Sequence, residues 1–137
     1  MDFSSLYDQA VQKTAHCREQ RDALLDSPEE FLQKIVDARD ALYHVIVDTA
    51  SDKIMDAAER GTSLTNLYTF NGNDFINDIS ILFLLKGPKP MTPKLPAGTP
   101  KPLLPELQKV MAPFEIVHDW DGISGGNRII ARWVVSK

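Results

Sequence analysis

His16-Cys17 is the only place in the chain where a thiol and an imidazole are neighbours, and Cys17 is the only cysteine. A thiol nucleophile needs its base within hydrogen-bond reach, and adjacent residues on a helix point about 100° apart. Cys17 therefore reads as a small packing residue. His118-Asp119-Trp120-Asp121-Gly122 has the composition of a cation loop. For calcium its glycine comes too early, Ile123 occupies the fifth position, and no terminal Glu follows. For zinc it lacks two further ligands at useful spacing. His118 reads instead as a core-edge histidine sharing a strand face with Ile116 and Trp120. Gly122, Gly125 and Gly126 lie between two strand-like runs, so no helix N-terminus is there to receive an anion. Lys86-Gly87-Pro88-Lys89 lacks P-loop spacing. Asp37, Asp40, Asp48, Asp52, Asp56 and Glu59 interleave with Arg39, Lys53 and Arg60, as on a solvated helix face. The reading assigns no catalytic, cofactor-binding or metal-ligating residue, and expects a chain that is not an enzyme.

One constellation suits binding rather than catalysis. Arg128, Arg132 and Lys137 accompany Trp120 and Trp133 near the C-terminus, and cations beside aromatic rings make single-strand nucleic-acid platforms. Alternation places Trp133 with Ile129 and Val135, on the face opposite Arg132, which favours a core tryptophan. Nucleic-acid binding through this hairpin is the alternative reading.

These residues need elements to hold them. Phe3, Tyr7, Ala10, Thr14, Cys17, Arg21 and Leu24 follow a 4-3-4-3-4-3 spacing and predict a first helix over 3–25. Its apolar stripe is thin, being interrupted at Thr14 and Arg21. Ser27-Pro28-Glu29-Glu30 has the form of a capping box that opens a second helix. Phe31, Ile35, Ala38, Leu42, Val45 or Ile46, Ala50, Ile54 and Ala57 continue it to Arg60-Gly61, a C-terminal glycine stop. Unbroken, it is about 50 Å long; the β-branched Val45-Ile46-Val47 marks a point where it would bend or break. The short Asp26-Ser27 link predicts an antiparallel helical hairpin.

Beyond Gly61 the signals change. Leu64 to Phe70 leads into Asn71-Gly72, a strong hairpin turn, and the continuous apolar run Ile79–Leu85 predicts a central strand covered on both faces. Residues 87–105 hold seven of the nine prolines and read as an extended arm or loop. A short helix over 103–111 follows, then a second hairpin across the glycine-rich turn, ending on Ile129, Ala131, Trp133 and Val135. The expectation is one α+β domain over 1–137: a helical half (1–61), a first β-hairpin (62–86), a Pro/Lys-rich arm (87–105), and a short helix with a second hairpin (103–137). In the order αα-ββ-α-ββ, the helical hairpin packs on a four-stranded, mainly antiparallel sheet.

Charge is unevenly divided: residues 1–61 carry net −6 and residues 62–137 net +2. Such halves favour packing of one on the other or head-to-tail contact between copies, and neither is basic enough to indicate nucleic acid by charge alone. The single cysteine fits a reducing compartment, and the start of the chain has neither the basic nor the apolar region of a signal peptide.

A wider pattern joins several of these pieces. It runs Ala57-Ala58-Glu59-Arg60-Gly61, Leu67-Tyr68-Thr69-Phe70, Leu84-Leu85-Lys86-Gly87-Pro88, the stretch from Pro113 to Trp120, and Asn127 to Trp133. Across 57–135 it resembles small α+β proteins of large nucleocytoplasmic DNA viruses, a group largely without assigned activities. The resemblance implies a viral chain made in host cytoplasm, with a place in the virion; without it, the expected location is simply cytoplasmic. The leading expectation is a structural or protein-interaction protein, a minor virion component. Residual apolar surface at Leu42, Ile46 and Ala50, and the basic Lys89, Lys94 and Lys101, are the expected contact residues for a partner or a second copy. No membrane or small-molecule ligand is expected.

Overall fold

The computed structural model describes residues 2–70, 84–85, 87, 95–121 and 126–135. Helix α1 spans Phe3–Leu25 and α2 spans Pro28–Glu59. Strand β1 is Leu64–Phe70, α3 is Leu103–Val110, β2 is Glu115–Asp121 and β3 is Gly126–Arg132.

Helix α2 starts and stops where its signals lie and runs unbroken through Val45-Ile46-Val47. Its end is a Schellman motif. Gly61 takes φ +82°, its N–H donates to the Ala58 carbonyl at 3.0 Å, and Thr62 N–H donates to the Ala57 carbonyl at 3.1 Å. The start differs from expectation: the Ser27 hydroxyl makes no capping hydrogen bond. Proline at the first helical position and two glutamates in the first turn carry that end instead.

Helix α1 does not fold back on α2. No residue in it is buried, and only Leu24, beside the link, packs against the core. The predicted antiparallel hairpin is absent: the apolar face of α2 is already packed against the sheet and α3, which leaves the interrupted stripe of α1 no face of its own fold to dock on.

The sheet among the described residues has three antiparallel strands in the order β1-β3-β2. The central strand is thus the last in sequence. The expected central strand at Ile79–Leu85 falls mostly outside the described residues, as does the Asn71-Gly72 turn. Its end is described, however, and Leu84 and Leu85 lie in a π-helical turn. Both are buried in the core. A continuous apolar run is compatible with a buried helical turn as well as with a strand.

One face of the sheet, with Leu67, Phe70, Ile116, Ile129 and Ala131, joins Phe31, Ile35, Leu42, Ile46 and Ala50 of α2 and Leu103 and Leu107 of α3 in a single core. A bulge falls between Asn66 and Tyr68, leaving Leu67 without a partner in the register. Lys53 of α2 donates from Nζ to the Leu67 carbonyl at 2.7 Å. Arg39 reaches α3, donating from Nε to the Lys101 carbonyl at 3.0 Å and pairing with Glu106 at 2.5 Å. Two bases expected on a solvated face are therefore ties between elements.

The proline-rich stretch also departs from a free arm where it is described. Leu95 packs against the core, and Pro96, Thr99, Pro100 and Pro102 are half-buried. Gly87 and Gly98 take positive φ values, which let the backbone turn back over α2. Residues 88–94 lie outside the described residues.

Candidate interaction surface

The contact residues expected from sequence are not brought together. Leu42, Ile46 and Ala50 are buried. α2 is as long as its pattern implies, but sheet, α3 and the segments at 84–85 and 95–102 cover its apolar face, so no overhang remains there. Lys101 is exposed, with its carbonyl held by Arg39. Lys89, Lys94 and Lys137 lie outside the described residues.

The arginines of the nucleic-acid reading are matched by acids across the hairpin. Arg128 forms an ion pair with Asp119, its partner in the β2–β3 register. Arg132 pairs with Glu115 at 2.6 Å, again its register partner. Each cation thus has a carboxylate beside it on the adjacent strand. His118 is half-buried, with Nε2 3.0 Å from Asn127 Oδ1, as expected of a histidine at the core edge. No group of three or more potential metal ligands occurs among the described residues.

Two other surfaces stand out. The first is a recess at one end of the sheet, lined by Leu64, Pro113, Phe114, Arg132, Trp133 and Val134. Phe114 and Trp133 meet edge-to-face with ring centroids 5.7 Å apart. The Trp133 N–H donates to the Ser63 carbonyl at 3.0 Å, extending the β1–β3 ladder by one rung. Val134 is 94% exposed beside it. Alternation on β3 anticipated the shielding of Trp133 but not its aromatic partner, because Phe114 arrives from the far side of the Ala112-Pro113 turn.

The second is α1. Phe3 is 81% exposed, Tyr7 70% and Val11 50%. The helix is capped by Asp2, whose side chain accepts from Ser4 N–H at 3.1 Å, a signal that sequence reading passed over. Cys17 is exposed and not the packing residue its spacing suggested. Most helical stability in proteins comes from packing of an apolar face, and α1 buries no residue in its own fold.

Together these features define an α+β protein with, among the described residues, a three-stranded antiparallel sheet and an undocked N-terminal helix. No helix among the described residues is long and apolar enough to cross a membrane. No protein-family model matches the chain, and no curated protein or solved structure matches it either.

Proposed function

We propose that this chain is a non-enzymatic structural or protein-interaction protein whose contact element is α1. One observation carries the reading: a helix of 23 residues in which nothing is buried, while its large apolar side chains stand in solvent. Exposed apolar surface on an element with no docking place of its own marks an interaction site. The rest of the fold makes a rigid base, since α2, α3 and the sheet close one core. A place in a virion belongs to the same reading and rests on the residue pattern across 57–135. Hydrogen exchange tests the proposal. The α1 amides should exchange quickly in dilute purified protein and become protected in concentrated protein or in lysates of cells that make it. Equal exchange in all three settings would refute the reading.

A further inference from the structure

We infer that α1 pairs with α1 of a second copy of this chain, and that the two helices run antiparallel. The inference deepens the reading above by naming the partner. Phe3, Tyr7, Ala10, Thr14, Cys17 and Arg21 alternate in steps of four and three, the spacing of a coiled-coil seam. The structure keeps this stretch helical throughout and leaves it uncovered. Leu24 continues the spacing but is already engaged with the chain's own core. The seam available to a second copy is therefore 3–21, centred on residue 12.

Charge sets the direction. Residues 2–12 carry Asp2 and Asp8 and no base, whereas residues 13–21 carry Lys13, Arg18 and Arg21 against Glu19 alone. Parallel helices would lay acid on acid and base on base. Antiparallel helices lay each acidic half along a basic half, which favours that orientation and penalises the other. Centring on residue 12 places Phe3 opposite Arg21, Tyr7 opposite Cys17 and Ala10 opposite Thr14. The cation of Arg21 then lies over an aromatic face, so the residue that spoils a purely apolar stripe gains a role in it. Val11 flanks the centre and meets its own copy.

Cysteine chemistry reads the orientation directly. In a parallel pair Cys17 faces Cys17, whereas here the two thiols are offset by ten residues, about 15 Å along the axis, too far for a disulfide. The full-length protein is compared by sedimentation from low concentration to about 1 mM, a range that reaches weak association. The expected result is a monomer–dimer equilibrium that shifts toward monomer as salt rises and is lost in Tyr7→Glu. That variant leaves the core untouched, because Tyr7 is 70% exposed and lies outside it. Under mild oxidation the native protein should form little covalent dimer. A mixture of Ala10→Cys/Cys17→Ser with Thr14→Cys/Cys17→Ser should cross-link readily. Rapid cross-linking through native Cys17 alone would overturn the antiparallel arrangement. A strict monomer at the highest concentration would overturn pairing altogether. If α1 is nonetheless protected in lysates, the partner is another protein and the interaction reading survives. If it is not, both fall together.

Discussion

At the scale of single residues, two bases on α2 tie that helix to its neighbours. Lys53 supplies a hydrogen bond to the one β1 residue that the bulge removes from the register. A half-buried carbonyl left without that donor costs on the order of 1–3 kcal/mol. Lys53→Met, which keeps the length and apolar stem, should lower stability by about that amount in urea unfolding. Arg39 ties α2 both to the carbonyl of Lys101 and to Glu106. Ser27→Ala, in contrast, should change stability by less than about 0.5 kcal/mol, since no side-chain cap is present to lose. Sequence spacing showed that Ser27 stands at the helix start, and that was right. Whether its hydroxyl would reach an N–H depended on a backbone angle that spacing does not encode. Nor could the partners of Lys53 and Arg39 be read, because 14 and 62 residues separate them from the carbonyls they bind.

At the scale of elements, local chemistry made the boundaries legible and tertiary competition made the pairings illegible. Gly61 ends α2 through a motif confined to six residues, so the signal was sufficient by itself. β3 was evident from the alternation of Ile129 and Ala131, and its pairing with β2 from the intervening glycines. That β3 would also take β1, and so become central, follows only from how the two edges compete for it. The same distinction separates α1 from α2. Both show helical spacing, but only α2 has branched or aromatic residues at most of its buried positions, Phe31, Ile35, Leu42 and Ile46. Ile46→Ala and Leu42→Ala should each cost about 2–5 kcal/mol, as large-to-small changes in a closed core do. Neither should alter self-association at concentrations where the fold persists. Sedimentation alongside thermal unfolding separates the two effects.

At the scale of the whole molecule, a closed body is joined to a helix that it does not support. The tightly held half includes part of the proline-rich stretch. Limited proteolysis of the free protein should therefore spare residues 95–102, where the backbone packs over α2, and cut first within α1 after Lys13, Arg18 or Arg21. Early cleavage in 95–102 would show that the half-burial of this segment does not persist in solution. The nucleic-acid alternative is also testable at this scale. With Arg128 and Arg132 matched by Asp119 and Glu115, single-stranded DNA should not be retarded even at low salt, where phosphate contacts are strongest.

The order of the strands sets a timetable for synthesis. β1 leaves the ribosome early, yet its described sheet neighbour is β3, and the register joins Leu64 to Arg132. β2 must wait as well, for the same strand. Until β3 has been made, β1 and β2 both lack their described sheet partner, and the buried stripe of α2 lacks part of its cover. Contacts this distant in sequence fold slowly and leave apolar surface open meanwhile. A nascent chain halted before residue 126 would be a helical, sticky intermediate in need of a chaperone, and release of the last strand would close the sheet in one step.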